Sequence, residues 1–173
     1  AFTKMKSEGT VSRAPVWEVL RDHWREVLLT GLLRTGQQVP FYIFTTYVLT
    51  YGTQVLGFAK SAMLRNVMLS ALASMLAIPF WGAVSDRVGR RRLVAAGAAL
   101  MIPWAFVYYR LLDTRVAWVV LLAVLLAQPL HDIQYGPQAA VIAESFPARL
   151  RYSGSSLGYQ LASITAGGPA PLI

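Results

Sequence analysis

The chain has no cysteine, two histidines and little charge, and each shortage excludes a class of protein. Without cysteine it can form neither a disulfide framework nor a thiolate metal site. His23 lies in a charged N-terminal segment, far in sequence from His131, so the paired ligands of a metal enzyme are not expected. We therefore predict no metal site, no cofactor and no enzymatic activity.

Acidic residues are also scarce, at 8 against 16 basic ones, which leaves a net charge of +8. Such an excess is typical of nucleic-acid binders, of proteins on anionic membrane surfaces and of membrane proteins with basic cytoplasmic loops. A nucleic-acid interface needs its basic residues on one surface with interleaved aromatic residues. Apolar runs separate the basic clusters here, so we predict no nucleic-acid partner.

Apolar residues are abundant, at 55% of the chain, and they form long runs. A helix rises 1.5 Å per residue, so about 20 residues cross the hydrocarbon core of a bilayer, which is roughly 30 Å thick. A soluble helical domain fits successive runs of this length joined by short turns badly. We predict an all-α membrane protein in a lipid bilayer, with four full spans and the start of a fifth, at 27–51, 61–84, 93–112, 116–143 and 153–173.

The basic residues predict how these spans are oriented. Residues 1–26, 85–92 and 144–152 hold five, four and two Lys or Arg, whereas the connections on the opposite side hold four. Basic residues concentrate in the cytoplasmic connections of membrane proteins. We therefore expect these three segments in the cytoplasm, with 1–26 forming a loop and a short helix ahead of a transmembrane bundle at 27–173.

One polar connection carries a recognisable motif. The segment from Gly82 to Arg91 reads GAVSDRVGRR. It resembles the cytoplasmic signature of the major facilitator superfamily, in which a glycine and three further residues precede Asp-Arg-x-Gly-Arg-Arg. Asp86 can pair with Arg90 one helical turn later, and Gly89 permits a tight turn; Gly82 would allow two helices to approach closely. A basic loop that only sets orientation would need the arginines but not this spacing.

A second segment, Glu144–Gly154, reads ESFPARLRYSG and resembles another cytoplasmic connection of the same superfamily. The resemblance implies the C-terminal half of a twelve-helix transporter, and it makes the missing N-terminal half of the polypeptide a partner. In such transporters the charged stretches are thought to interlock when the cytoplasmic side closes. The alternative is that they anchor loops at the headgroups. The gate candidates are Gly82, Asp86, Arg87, Gly89, Arg90, Glu144, Arg149 and Arg151.

Further segments narrow the resemblance to the metabolite:proton symporter branch, which carries proline, betaine, citrate, 2-oxoglutarate and shikimate. They are residues 40–46 (PFYIFTT), 135–140 (YGPQAA) and 152–163 (YSGSSLGYQLAS). The implied function is symport of a small carboxylate or zwitterion with protons across the bacterial inner membrane by alternating access. The alternatives are a sugar or drug porter of the same superfamily, or a membrane receptor or enzyme that does not transport. Many relatives have an acidic residue and Asn where this chain has Gln37 and Gln38.

The first span holds the candidate substrate-binding residues. Arg34, Gln37 and Gln38 are three and four residues apart, so they share one face of a helix. That face offers a carboxylate a cation and amide donors. Tyr42, one turn further, could pack on a substrate. The alternative for Arg34 is that its side chain extends to the cytoplasmic headgroups, because it lies about 10 Å from the start of the span at 27.

The fourth span holds the candidate proton-coupling pair, His131 and Asp132. Ionisable residues inside a span are functional candidates by default, and histidine exchanges protons near neutral pH. The alternative is that His131 satisfies a carbonyl freed by Pro129 or Pro137, while Asp132 pairs with a residue of the missing half.

Overall fold

A computed structural model describes residues 15–167 of the 173-residue chain. Within that range the regular elements are helices, without a strand, and this confirms the predicted all-α fold. The outer parts of the predicted N-terminal loop and of the fifth span, at 1–14 and 168–173, lie outside the described residues. The first described helix, α1 (Pro15–Asp22), begins with proline, which suits a first helical turn because no intrahelical partner exists there for an N–H.

The first predicted span is longer than expected and irregular. Helix α2 (Trp24–Tyr42) continues without a break into a π-helical segment, π1 (Ile43–Tyr47). A short α3 (Val48–Thr50) and a second such segment, π2 (Tyr51–Val55), complete it. Because π turns are mostly single interruptions of α-helices and often lie at functional sites, two in one span distinguish it from the other spans.

Three helices follow that are long and apolar enough to cross a membrane. They are α4 (Lys60–Val88), α5 (Arg90–Asp113) and α6 (Ala117–Glu144), with 29, 24 and 28 residues. Helices α4 and α5 exceed their predicted spans, 61–84 and 93–112, because the helical hydrogen bonding continues into the charged residues at their ends, whereas α6 matches its predicted span, 116–143, to within one residue. The chain then forms α7 (Arg151–Ala162) and a last π-helical segment, π3 (Ser163–Gly167).

The predicted cytoplasmic connection at 85–92 is almost entirely helical. Its only non-helical residue is Gly89, which has a φ of +102°. Glycine reaches this region readily because it has no Cβ, and so α4 can end and α5 can begin within one residue. The tight turn predicted for Gly89 is therefore confirmed.

Helix α6 lies at the centre of the described bundle and packs against α4, α5, α2 and α7. Close backbone approach makes this packing specific. A Cβ placed on Gly136 of α6 would come 2.9 Å from the carbonyl oxygen of Ile78 and 3.1 Å from the amide nitrogen of Gly82, both on α4. The prediction that Gly82 allows the close approach is therefore wrong, since a Cβ on Gly82 would meet no described atom within 4 Å, and the glycine that the approach requires is Gly136.

Helix α4 has apolar side chains on its outer face and polar ones on its inner face, the reverse of a helix in a water-soluble protein. Its large apolar side chains, including Leu72, Met75 and Leu76, point outward and are more than half exposed. Four of its five buried residues are polar, and three of these, Asn66, Ser70 and Ser74, face inward at four-residue intervals. Lipid is as apolar as leucine, so buried polar contacts are a normal means of joining membrane helices.

Two apolar clusters bracket the middle of the bundle. One contains Phe44 and Val48 of the first span with Val120 and Ala127 of α6. The other joins α1, the start of α2 and the end of α6, with Val19, Val27, Ile142, Phe146 and Leu150. Between them, on both α2 and α6, lies the polar stretch that contains the predicted binding and coupling residues.

Candidate functional site

A cavity of about 360 Å³ opens between α2, α4 and α6, in the polar stretch between the two apolar clusters. Helix α2 contributes three of the four predicted substrate-binding residues, and α6 contributes both predicted coupling residues. The fourth binding candidate, Tyr42, is not among the lining residues, and the neighbouring Phe41 is. The cavity lining includes Arg34, Gln37, Gln38, Phe41, Ser74, His131, Asp132 and Tyr135.

The guanidinium of Arg34 is held by amides and aromatic rings. Its Nη1 donates to Gln37 Oε1 at 2.5 Å and to Gln138 Oε1 at 2.9 Å. Its central carbon lies 5.3 Å from the ring centre of Tyr135 and 4.8 Å from that of Tyr159. No carboxylate of the described residues lies within ion-pair distance of it. A cation fixed in this way is oriented by protein groups while its charge remains available to an anion in the cavity.

The two adjacent glutamines have different surroundings. Gln37 is buried, and its Nε2 lies 2.6 Å from Nε2 of His131 while its Oε1 accepts from Arg34. The Gln38 side chain is half-buried at the cavity wall and has no hydrogen bond to a described residue. Gln37 therefore connects the cation to the histidine, whereas Gln38 faces the cavity space.

His131 and Asp132 are both 2% exposed, and they face different helices. His131 Nδ1 lies 3.5 Å from Asp132 Oδ1 and has no hydrogen-bond partner among the described residues. The other carboxylate oxygen of Asp132 accepts a hydrogen bond from the Ser74 hydroxyl of α4. Sequence reasoning missed Ser74, although its place in the inward-facing series on α4 was a usable signal.

The carbonyl freed by Pro129 of α6 has a partner other than His131. Pro129 has no N–H, so the carbonyl of Leu125 one turn earlier loses its helical donor. Ser70 Oγ of α4 donates to that carbonyl at 3.3 Å, and the indole Nε1 of Trp81 donates to the Pro129 carbonyl at 3.0 Å. His131 instead approaches the backbone carbonyl of Gln37, at 3.1 Å. Its contacts are therefore with α2, at the cavity.

Several predicted gate residues form ion pairs at the cytoplasmic end. Arg90 donates from Nη2 to Asp86 Oδ1 at 2.8 Å and from Nη1 to Glu144, so it connects α4, α5 and α6. Arg149 pairs with Glu18 of α1, a partner that the sequence did not suggest. All these groups are partly exposed to solvent, where single ion pairs contribute little to stability.

The remaining gate candidates are placed differently. Neither Arg87 nor Arg151 has a carboxylate of the described residues within ion-pair distance. Arg151 lines a second and more open cavity of about 650 Å³ beside α7. Tyr159, which packs on Arg34, lines the same cavity.

Comparison with known proteins adds a family and named relatives. The family model described as Major Facilitator Superfamily matches residues 2–169. The chain is 35% identical to the shikimate transporter of Escherichia coli, over 93% of the chain and 37% of that protein. It is 30% identical to the citrate-proton symporter of Klebsiella pneumoniae, over 91% of the chain and 36% of that protein.

An ectoine/proline transporter of Corynebacterium glutamicum is 29% identical over 100% of the chain and 34% of its own length. The chain thus spans less than half the length of these relatives. No solved structure gives a significant match.

Proposed function

Because this chain belongs to the major facilitator superfamily, we propose that it is the C-terminal part of a twelve-helix transporter that carries a small metabolite by alternating access. The family match and the named relatives confirm the resemblance to metabolite symporters, and these relatives are transporters rather than enzymes. Relatives of this kind, together with three membrane-length helices, place the chain in a bacterial inner membrane. The binding site of the whole protein would lie where this cavity faces the missing N-terminal half.

The substrate class follows from Arg34. A cation that has amide and aromatic neighbours, but no described carboxylate, is suited to a carboxylate on the substrate. Two unit charges 4 Å apart attract by about 1 kcal/mol in water, but by about 4 kcal/mol at the effective dielectric constant of a protein site. The cavity therefore favours small carboxylates and zwitterions. The names of the relatives, which include shikimate, citrate and proline, support this class.

Proton coupling is assigned to His131 and Asp132, the ionisable pair of the cavity wall. Many relatives have an acidic residue in the first span, whereas this chain has Gln37 and Gln38 there. Asp132 of the fourth span would supply the carboxylate instead. The citrate-proton symporter among the relatives supports this assignment, and the named relatives do not favour a sugar or drug porter.

For the cytoplasmic gate we infer that the ion pairs of Arg90 and Arg149 hold the cytoplasmic ends of the helices together in one state of the cycle. Because the pairs are partly exposed, each is weak enough to break when the two halves of the transporter rock.

The test is uptake of labelled shikimate by the full-length protein in proteoliposomes, with and without an inward proton gradient. The Arg34→Gln variant should lose about tenfold or more in kcat/KM, since a charge-assisted contact contributes about 1.5–3 kcal/mol. Arg65→Gln is the matched control, because Arg65 is an exposed arginine outside the cavity. Full uptake by the Arg34→Gln variant would remove Arg34 from the binding site.

A further inference from the structure

The side chain of Gln37 contacts both Arg34, the proposed substrate-binding residue, and His131, the proposed coupling residue. Its Oε1 accepts from Arg34 at 2.5 Å, and its Nε2 lies 2.6 Å from Nε2 of His131. The proposed substrate-binding cation and the proposed coupling histidine are thus separated by a single amide group. This amide is buried, so solvent does not replace its partners readily.

The chemistry of these partners fixes which way the amide faces. The guanidinium of Arg34 only donates, so the atom of Gln37 that faces it must be the oxygen. The NH₂ of Gln37 therefore faces His131. Nε2 of that histidine lies closer to this donor, at 2.6 Å, than to the Gln37 backbone carbonyl, at 3.1 Å, and we assign Nε2 as the acceptor on that ground. A neutral imidazole that accepts at one nitrogen holds its proton on the other, so the proton of His131 lies on Nδ1, which faces Asp132 Oδ1 at 3.5 Å.

A second proton on His131 changes this arrangement. Protonated imidazole donates from both nitrogens, so its Nε2–H would then face the NH₂ of Gln37, donor against donor. An acceptor for the new N–H is already in place, because the backbone carbonyl of Gln37 lies 3.1 Å from Nε2. The histidine can keep its position and donate to the backbone, while the side-chain amide must turn away.

We propose that Gln37 is a positioning residue that couples the two sites: when His131 is protonated, the Gln37 amide turns away from Arg34, and Nη1 of the guanidinium exchanges one of its two amide acceptors for a substrate carboxylate while it keeps Gln138. Only one proton moves, from water to Nε2 of His131, and the carboxylate of Asp132 balances the new positive charge. Since linkage is reciprocal, a substrate carboxylate that displaces Gln37 from Arg34 should favour protonation of His131 by the same factor. This mechanism rests on the proposed function, because it requires Arg34 to bind substrate.

The groups around His131 are consistent with a switch confined to Arg34, Gln37 and His131. Its own helix supplies Asp132 and Tyr135, whose ring stacks 6.1 Å away. Helix α2 supplies Arg34, Gln37 and the uncharged Phe41, and α4 supplies only the hydroxyl of Ser74, bound to Asp132. No ionisable side chain of α4 or α5 lines the cavity among the described residues.

The experiment compares two adjacent glutamines in the full-length protein, with shikimate as the probe. Its dissociation constant is measured at about pH 5.5 and about pH 8, on either side of the usual titration range of histidine. In the unmodified protein, binding should be about tenfold tighter at the lower pH, a factor typical of coupling between two sites. The dissociation constant of Gln37→Leu should differ less than about twofold between the two pH values. Gln38→Leu, which removes an amide of the cavity wall, should weaken binding equally at both pH values and so keep the full ratio.

The outcomes separate the mechanism from the proposed function. A Gln37→Leu variant that keeps the full pH ratio overturns the coupling role of Gln37. Absence of shikimate binding or of pH dependence in the unmodified protein overturns the proposed substrate or proton coupling instead. If the variant does not fold, ¹⁵N NMR of His131 in the unmodified protein decides: a neutral ring with its proton on Nδ1 supports the mechanism, and one with its proton on Nε2 refutes it.

Discussion

The substitution Gly136→Ala should separate α4 from α6 and destabilise the protein. A Cβ there would lie 2.9 Å from Ile78 O, 3.1 Å from Gly82 N and 3.2 Å from Trp81 Cβ, whereas ordinary contacts begin at 3.4 Å. Because all three neighbours are backbone atoms or a Cβ, no side chain can rotate away, and the helices must move apart by about half an ångström. Overpacking of this kind costs about 1–3 kcal/mol, more than the roughly 0.5–1 kcal/mol that alanine gains over glycine within a helix.

The assay is thermal unfolding of the full-length protein in detergent, with Gly36→Ala as the matched control. Gly36 also lies inside a helix, but a Cβ there meets no described atom within 4 Å, so only the gain in helix propensity applies. We expect Gly136→Ala to unfold at a lower temperature than the unmodified protein and Gly36→Ala at the same or a higher one. Equal unfolding temperatures for both variants would refute the packing argument.

Two further predictions concern the cavity and the gate. Ser74→Ala should lower proton-driven shikimate uptake about tenfold, because the buried carboxylate of Asp132 loses a hydrogen-bond donor. The control is Ser70→Ala, which removes the donor to the Leu125 carbonyl and should leave the response of uptake to the proton gradient unchanged. Glu144→Gln should raise the rate of shikimate efflux by about two- to fivefold, because Arg90 loses its exposed pair with Glu144 but keeps its contacts with Asp86. Equal effects of the two serine variants, or an unchanged efflux rate, would count against these assignments.

The parts of the fold that the sequence predicted depend on hydropathy and charge along the chain. The α4, α5 and α6 spans, the turn at Gly89 and the presence of Arg34 and His131 within apolar spans follow from local patterns. The bounds of α4 and α5 were less accurate than those of α6, because helical hydrogen bonding in α4 and α5 continues past the apolar residues into the charged ends.

What the sequence did not show depends on contacts between distant segments. The four-residue spacing of Asn66, Ser70 and Ser74 indicates a shared face, but only the packing of α4 on α6 places Ser74 beside Asp132. Glu18 lies in a mixed polar segment, and only the fold brings it to Arg149. Likewise the difference between Gln37 and Gln38 depends on the exact rotation of α2, which hydropathy does not specify.

The single-residue turn at Gly89 has a mechanical consequence. Backbone hydrogen bonds continue on both sides of it, from Gly89 N to Ser85 O at 2.9 Å and from Leu93 N to Gly89 O at 3.1 Å. No slack chain remains to absorb a displacement, so a movement at the end of α4 is passed to the start of α5, and the two helices are the arms of one elbow. A force applied at the cytoplasmic end would therefore tilt both arms together, and through Ser74 it would reach the carboxylate of Asp132 in the middle of the bundle.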